Sequence, residues 1–271
     1  MPLDAHSILT DKSYLTAVQY QTGANLAARQ SIYAFEQPKI DLVATVLGLA
    51  GLAGTETVAD IGCGNGIYLA GLAGRGHGGR VLGVDLSPGM LAAAKAAAPG
   101  ARLAVGDAAA LPLACGVADV TLAPHMLYHV PDPRAAVAEL RRVTRPGGQL
   151  LVVLNGRDHL AELRELIVAT AAAAGPPNTK IVAGYEASYH VMTLDTGAGL
   201  LAEVFSSVQR HDFAAELLLA DPQPVARYVR SMRAEDMPDP DGFTRAVGAS
   251  IPFGPDGIFR VRTHCGLLIC R

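Results

Sequence analysis

The sequence predicts an α/β fold, a doubly wound sheet whose strands run mainly parallel. From residue 38 to residue 175, short apolar segments alternate with longer segments of helical period, the pattern of repeated strand–helix units. The segment Gln149–Leu154 is almost wholly apolar, as expected for a central strand that is buried on both faces. Ser87 and Asp132 mark helix starts, because each precedes a proline at a favoured first helical position.

Each element of this alternation has its own signature. The helix Pro133–Thr144 shows an apolar face of helical period, and Pro99-Gly100 ends the helix that follows Ser87. Right-handed crossovers place the carboxyl ends of all parallel strands on one side of the sheet. The predicted strands are Thr57–Ile61, Arg80–Asp85, Arg102–Val105, Ala118–Ala123 and Gln149–Leu154, and the other predicted helices include Lys39–Ala50, Ile67–Ala73 and His159–Ala174.

Three regions are expected along the chain. Residues 1–37 predict an N-terminal helical lid, and residues 38–175 predict a Rossmann-like core. Residues 176–271 form a C-terminal part with the last sheet strands and with cap insertions at about 176–195 and 214–257. Because Ser207–Phe213 and Phe259–Cys270 resemble a final strand pair, we expect a seven-stranded sheet with an antiparallel edge strand.

Composition narrows the function classes. Half of the 271 residues are hydrophobic and 17% are charged, so the chain can bury a sizeable core. The formal net charge of −3 gives no basic surplus, and a nucleic-acid partner is therefore not expected. The four cysteines are scattered through apolar sequence, which predicts reduced core residues and no metal site.

The sequence also predicts where the protein resides. Its first residues lack the basic and apolar regions of a signal peptide. The longest apolar stretch, Leu42–Ala53, is too short to span a bilayer. We expect a cytoplasmic protein, a monomer or homodimer, that does not associate with membranes.

A glycine-rich turn lies directly between the first predicted strand of the core and the helix after it. It reads Asp60-Ile61-Gly62-Cys63-Gly64-Asn65-Gly66. Glycines permit a tight turn and let the backbone approach a ligand closely. The N-terminus of the following helix favours a negatively charged group.

Two acidic residues follow the next two predicted strands. Asp85 lies about 20 residues beyond the turn, where a carboxylate can accept both hydroxyl protons of a ribose. Asp107, within Gly106-Asp107-Ala108, can accept a hydrogen bond from an adenine amino group. The turn and Asp85 alone fit two cofactors. A nicotinamide enzyme normally carries GxGxxG, whereas this turn reads GxGxG, and Asp107 separates the two classes further.

Four motifs in order and at suitable spacing carry a family resemblance. They are Asp60–Gly66, Asp85-Leu86-Ser87-Pro88, Gly106-Asp107-Ala108 and Arg145-Pro146-Gly147-Gly148. Over roughly residues 38–155 the chain resembles class I methyltransferases that use S-adenosylmethionine (SAM), especially the small-molecule enzymes that modify quinones and natural products. The resemblance implies SAM as the cofactor and a small organic methyl acceptor, such as a secondary metabolite.

The resemblance also implies a set of cofactor contacts. Asp85 would hold the ribose, Leu86 and Met90 would flank the adenine, and Arg29 of the predicted lid could pair with the methionine carboxylate. The Arg145–Gly148 turn is a structural marker of the family. The methionine part of SAM would be held by Asp60 and the backbone of Gly62, Cys63, Gly64, Asn65 and Gly66, and the adenine amino edge would be read by Gly106, Asp107 and Ala108.

The acceptor is expected beyond the carboxyl ends of the strands. The segment after the fourth core strand carries His125, Tyr128 and His129, which are candidates for acceptor contact or proton removal. Tyr20 of the predicted lid could cover the methyl-transfer site, and His190 is a further pocket candidate.

Three alternatives remain open at this point. The chain could be an NAD(P)-dependent oxidoreductase, a non-catalytic SAM-binding protein, or an enzyme whose net reaction includes a cyclisation after methylation. These residues do not distinguish O-, N- and C-methylation. The segment after the fourth core strand lacks the Asn-Pro-Pro-aromatic turn of methyltransferases that act on amino groups of nucleic acids, which favours a small-molecule acceptor.

Overall fold

The described residues build one mixed sheet of eight strands. The computed structural model describes residues 10–176, 182, 192–232 and 238–271. The strand order is β1-β7-β8-β6-β5-β2-β3-β4. The strands are β1 (Glu36–Gln37), β2 (Val58–Ile61), β3 (Val81–Asp85), β4 (Arg102–Val105), β5 (Ala118–Pro124), β6 (Thr144–Asn155), β7 (Val208–Leu219) and β8 (Phe259–Cys270).

The half of the sheet from β6 to β4 is parallel, which confirms the doubly wound prediction. From β2 the chain winds through β3 to β4 in one direction, and then returns to place β5 and β6 on the other side of β2. The winding direction therefore switches between β2 and β5. Ligands of doubly wound sheets bind beyond the carboxyl ends of the strands at such a switch point.

The prediction of a mainly parallel sheet with an antiparallel edge strand is confirmed, but the predicted count of seven strands was one too low. The sheet has eight strands, because the two-residue β1 pairs with β7 and occupies the edge. The long antiparallel strand β8 lies inside the sheet, between β6 and β7. Its inner position follows from its composition, because Leu267, Leu268 and Ile269 are buried and must be covered on both faces.

The helices of the core begin at side-chain caps. The hydroxyl group of Ser87 accepts a hydrogen bond from the Met90 amide (3.2 Å), and the Asp132 carboxylate accepts one from the Ala135 amide (3.1 Å), which confirms both predicted starts. The core helices are α3 (Leu42–Leu49), α4 (Ile67–Gly74), α5 (Pro88–Ala97), α6 (Pro133–Val143) and α7 (Ala161–Ala174), which follow α1 (Lys12–Tyr14) and α2 (Ala24–Gln30) in the N-terminal segment.

One predicted helix starts later than the sequence suggested. The helix expected over Lys39–Ala50 begins at Leu42, because the Asp41 carboxylate caps it by accepting from the Ala44 amide at 2.9 Å. Pro38 therefore precedes the helix. Within the described ranges, no helix is both long and apolar enough to cross a membrane.

The N-terminal segment, residues 10–37, packs on the core through short helical turns. A π-helical turn over Leu15–Gln19 follows α1, and a 3₁₀ turn over Ser31–Phe35 follows α2. The Ser87 hydroxyl donates to the Tyr20 carbonyl at 2.7 Å, so the residue that caps α5 also fixes the segment beside the end of β3.

The C-terminal insertion is shorter than predicted. The structure continues β7 to Leu219, six residues beyond the predicted end, and pairs it with β8 along its whole length. Ala215, Leu217 and Leu219 are buried on one face while Glu216 faces solvent, which is the alternation of a half-buried strand. The remaining described helices are α8 (Leu194–Ala202), α9 (Gln223–Ser231) and α10 (Pro240–Ala249), of which the last two lie in the insertion.

The insertion has its own apolar cluster. Tyr228 of α9 and Phe243 of α10 pack with residues of α7, β7 and β8. Ile32 of the N-terminal segment is fully buried in the same cluster. The insertion and the N-terminal segment are therefore packed against each other on one side of the switch point.

We expect Gly66→Ala to destabilise the protein more than Gly76→Ala. Both glycines have a positive φ (82° and 72°), which costs an alanine about 1–2 kcal/mol. Only at Gly66 would the added Cβ collide, 2.8 Å from the Ala94 Cα of α5, whereas nothing lies within 4 Å at Gly76. Such overpacking adds about 1–3 kcal/mol to the loss for Gly66→Ala.

Thermal unfolding measures the difference, at about 2–4 °C per kcal/mol for a chain of this size. If the two variants lost equal stability, the close approach of Gly66 to Ala94 of α5 would make no contribution to the loss.

Candidate active site

A cavity opens at the carboxyl ends of β2, β3, β4 and β5, below the N-terminal segment. Its walls combine the glycine turn, the ends of the three following strands, and side chains of the N-terminal segment and of the turn after β5. The lining residues are Lys12, Leu15, Thr16, Tyr20, Leu26, Gln30, Ile61, Gly62, Cys63, Gly64, Asn65, Ile67, Tyr68, Val84, Asp85, Leu86, Ser87, Met90, Gly106, Asp107, Ala108, Pro124, His125, Met126, Tyr128, His129, Val130 and Pro131.

The glycine turn is held against β3 by its own amides. The amides of Gly62 and Cys63 both donate to the Val84 carbonyl, at 2.8 and 3.1 Å. Gly62 has a positive φ of 69°, and a Cβ there would lie 2.6 Å from the Met126 Cβ. At Gly64 the nearest atom to an added Cβ is a Leu26 methyl group at 3.6 Å. Gly64 is thus where the backbone can approach a ligand closely.

Asp85 braces the same turn. One of its oxygens accepts from the Gly64 amide and the other from the Ser87 amide, each at 2.8 Å. Burial raises the pKa of Asp85, and these two amides partly offset that rise. Because a carboxylate oxygen can accept more than one hydrogen bond, both oxygens keep the capacity to bind ligand hydroxyl groups.

Asp107 lies at the far end of the cavity and is bonded to the N-terminal segment. Its Oδ2 accepts from the Lys12 ammonium group, and its Oδ1 accepts from the Ala109 amide at 3.0 Å. Partial burial acts to raise the pKa of Asp107, but Lys12 and the amide together hold it below its usual value. Lys12 therefore shares the carboxylate for which the sequence predicted contact with an adenine amino group.

Asp60 is the most unusual acid of the site. It is fully buried, and neither carboxylate oxygen has a hydrogen-bond partner among the described residues. Burial, with a smaller contribution from Asp85, raises the pKa of Asp60 to about 8. Its charge also acts on Cys63 and Tyr68, which both line the cavity. A cation bound at the adjoining glycine turn would supply the partner that the described residues do not give to Asp60.

Histidine and tyrosine side chains form the part of the cavity wall around the turn after β5. His125 directly follows β5 in a left-handed conformation (φ 54°), and burial lowers its pKa to about 4. The Tyr20 hydroxyl lies 2.9 Å from His129 Nε2, and the His129 ring packs edge-on against Tyr20 and Tyr128. Burial also raises the pKa of Tyr128, so His125 and Tyr128 are uncharged at pH 7.

Most of the residues predicted from the sequence meet at this one cavity. Gly66 and Asp60 lie outside its lining, the first because it packs against Ala94. Arg29 also lies outside: its guanidinium group is 5.5 Å from the Tyr20 ring centre and donates to the Ser231 carbonyl at 3.0 Å. Its pairing with a methionine carboxylate stays a prediction. His190 is outside the described residues.

Sequence reasoning missed the lining residues of the N-terminal segment other than Tyr20. Lys12, Leu15, Thr16, Leu26 and Gln30 reach the cavity from three separate turns. The only local signal was Asp11, whose carboxylate accepts from the Ser13 amide at 2.8 Å and starts α1. Among the described residues, no group of three or more metal-ligating side chains is placed to hold a metal ion.

Comparisons with known proteins agree with this site. The methyltransferase domain family matches residues 59–152, the segment that carries the turn and the acids. Trans-aconitate 2-methyltransferase of Methylobacterium radiotolerans is 29% identical over 235 residues, which are 82% of this chain and 89% of that protein. A ubiquinone biosynthesis O-methyltransferase of Cupriavidus pinatubonensis is 39% identical over 125 residues, 44% of this chain and 49% of that protein.

The fold has solved counterparts. A Bacillus halodurans C-125 protein assigned to the methyltransferases matches with a TM-score of 0.59 and 20% identity, over 86% of this chain and 99% of that protein. This chain spans between 29% and 52% of the length of the other curated relatives that it matches. Residues 59–152 thus match the methyltransferase domain family, which confirms the resemblance to class I SAM-dependent methyltransferases found in the sequence.

The residues present fit the cofactor of that family. SAM carries an ammonium group, a ribose diol and an adenine amino group. Asp60, which is buried and has no hydrogen-bond partner among the described residues, fits a cation, and Asp85 has oxygens that can accept from a diol. Gly64 leaves the backbone open to close approach between them.

We expect Asp85→Ala to weaken the binding of SAM and of its demethylated product, S-adenosylhomocysteine (SAH), by tenfold or more. The variant loses charge-assisted hydrogen bonds to the ribose, each worth about 1.5–3 kcal/mol. Titration calorimetry with SAH gives the affinity. The matched control is Asp41→Ala, which removes a carboxylate that also accepts from a backbone amide but lies at the start of α3. An unchanged SAH affinity in folded Asp85→Ala would remove Asp85 from the cofactor site.

We expect Asp60→Asn to stabilise the ligand-free protein at pH 8 and to weaken SAM binding. Burial in the folded protein raises the pKa of the Asp60 carboxyl group from 3.8 to about 8. Its cost to folding is therefore absent below about pH 4 and grows as the pH rises toward 8. The amide removes that cost but no longer offers a negative partner to the ammonium group.

Thermal unfolding from pH 4 to pH 8 and calorimetry with SAM measure these two effects. If Asp60→Asn instead lowered the thermal stability at pH 8, the Asp60 carboxyl group would have a stabilising partner in the folded protein.

Proposed function

We propose that this protein transfers the methyl group of SAM to an oxygen atom of a small organic molecule. The observation that carries the proposal is the meeting of Asp85 and the Gly64 backbone at one cavity wall, at the switch point of the sheet, with the buried Asp60 in the strand that leads into the glycine turn. The choice of oxygen is supported by the two similar enzymes, since one is an O-methyltransferase of ubiquinone biosynthesis and the other is named for trans-aconitate. An acceptor from secondary metabolism fits this proposal and stays a prediction.

The chain's contribution to such a transfer is mainly to position the reactants and to exclude water. When bound, SAM supplies an electrophilic methyl group on its sulfonium centre. Asp85 and the glycine turn orient the cofactor, and correct orientation accounts for much of the rate of such reactions. The His125 imidazole is neutral at pH 7 and follows β5 at the cavity edge, so it can accept the acceptor's proton when that proton must leave.

The N-terminal segment closes the cavity at two separate points. The Lys12–Asp107 ion pair joins it to the end of β4, and the Tyr20–His129 hydrogen bond joins it to the turn after β5. In this proposal the segment acts as a lid, because both bonds must open to admit ligands and both can re-form to keep water out.

Thermal unfolding with SAM, SAH, NADH and NADPH, each in large excess, tests the proposal. At about 100 times the dissociation constant, a ligand adds roughly 2.7 kcal/mol, or about 5–10 °C for a chain of this size. We expect a shift with SAM and SAH alone. A shift with a nicotinamide cofactor alone would establish an oxidoreductase instead.

Transfer of a labelled methyl group from SAM to a panel of carboxylic acids and phenols then tests catalysis. Product formation by the wild-type protein, and its loss in Asp85→Ala, is the expected result. Binding of SAM without transfer to any molecule of a broad metabolite panel would favour a non-catalytic SAM-binding protein.

A further inference from the structure

We propose that the Tyr33 hydroxyl group, oriented by His159, is a hydrogen-bond donor that recognises a carbonyl or carboxylate oxygen of the methyl acceptor. The inference rests on the proposed function, because it assigns a specificity-determining residue to the acceptor side of the same site. Tyr33 lies in the 3₁₀ turn that ends the N-terminal segment, and His159 lies just before α7. The cofactor contacts involve neither residue.

The position of the proton on His159 follows from its two neighbours. The ring is buried (3% exposed), and its Nδ1 accepts a hydrogen bond from the His264 amide at 3.1 Å. A neutral imidazole carries one N–H, and Nδ1 cannot both accept and carry it, so the hydrogen is on Nε2. Burial lowers the pKa of His159 to about 3, which keeps the ring neutral throughout the physiological range.

The tautomer of His159 determines the role of Tyr33. His159 Nε2 lies 2.8 Å from the Tyr33 hydroxyl oxygen, so the histidine donates and the tyrosine accepts. The two rings also stack, with centroids 6.1 Å apart and planes 21° from parallel. The hydroxyl group of Tyr33 must therefore donate its own proton in another direction. Within the described part of the chain, no acceptor for that proton lies within hydrogen-bond distance.

The order of the chain places Tyr33 and His159 beside the cavity, although neither residue lines it. His159 follows the carboxyl end of β6, and the His125 amide donates to the Val153 carbonyl of that strand at 2.9 Å. Tyr33 is partly exposed and is bonded to His159. Tyr128 and His125, which line the cavity, are close enough to influence the pKa values of Tyr33 and His159, respectively. A methyl acceptor that extends past His125 would therefore meet Tyr33.

This arrangement selects for one kind of ligand atom. A donor O–H whose oxygen is already engaged by His159 is matched best by an oxygen that accepts, such as that of a carbonyl or carboxylate group. Because His125 and His159 are held neutral by burial, the Tyr33 hydroxyl group recognises the ligand without a charge on either ring.

The proton position can be tested without knowing the acceptor. Nitrogen-15 NMR of histidine-labelled protein, with and without SAH, reports which ring nitrogen of His159 is protonated. We expect a neutral ring with hydrogen on Nε2 from pH 6 to pH 8. Hydrogen on Nδ1, or a ring that titrates in this range, would overturn the proposal even if SAM binding and methyl transfer are established.

The recognition step is tested with Tyr33→Phe, which removes only the hydroxyl group. For an acceptor found in the panel of carboxylic acids and phenols, we expect its KM to rise about tenfold, which corresponds to about 1.4 kcal/mol. The kcat and the SAH affinity should stay within about twofold of wild type. An analogue of that acceptor without the carbonyl oxygen should show the same KM for both proteins.

Two substitutions of His159 separate positioning from packing. His159→Asn keeps an acceptor for the His264 amide but does not reach Tyr33, and it should raise the acceptor KM as Tyr33→Phe does. His159→Gln keeps an N–H directed at Tyr33 and should restore much of the wild-type KM.

Unchanged KM in Tyr33→Phe, or equal KM increases for acceptor and analogue, would overturn the assignment of Tyr33. A protein that binds SAM but methylates only molecules without a carbonyl or carboxylate oxygen would overturn the acceptor class. Failure to bind SAM would instead sink the proposed function, and the NMR result would still decide the state of His159.

Discussion

The site depends on the hydrogen bonds that join the glycine turn to the end of β3. The Val84 carbonyl holds the Gly62 and Cys63 amides, and the Asp85 carboxylate holds the Gly64 amide. These bonds place a tight left-handed turn, an acidic side chain and the start of α4 within one small volume. They require glycine where Met126 and Ala94 press against the turn, because any Cβ would collide there. The cofactor wall is thus a consequence of how two neighbouring parallel strands end.

Burial divides the cavity into two electrostatic halves. On the cofactor side, Asp85 is braced by amides, Asp107 is paired with Lys12, and Asp60 is left without a partner among the described residues. Around the turn after β5, desolvation keeps His125 and Tyr128 of the lining, and the neighbouring His159, uncharged at neutral pH. A positively charged cofactor and an acceptor held by neutral groups can therefore occupy neighbouring places without competing for the same partners.

The N-terminal segment links these halves although it precedes the sheet in the chain. Ser87 caps α5 and donates to the Tyr20 carbonyl, so the end of β3 fixes the segment as well as the turn. Lys12 then reaches Asp107, Tyr20 reaches His129, and Tyr33 reaches His159. Three contacts made by one segment thus reach the cofactor side, the cavity edge and the acceptor side, which makes its position sensitive to both ligands.

The sequence alone determined the parallel half of the fold and the cofactor wall. Its signals there are local: a glycine turn between strand and helix, acids at strand ends, and caps such as Ser87 and Asp132. The inner position of β8, the extension of β7 to Leu219 and the edge strand β1 were decided by tertiary structure, because strand order depends on pairing between distant segments. The same holds for the Lys12–Asp107 pair, for the tautomer of His159, and for the burial of Asp60 with no bonding partner in the part of the chain that the structure describes. Each of these arises from desolvation or from a contact between residues far apart in the chain, and no local pattern of residues encodes it.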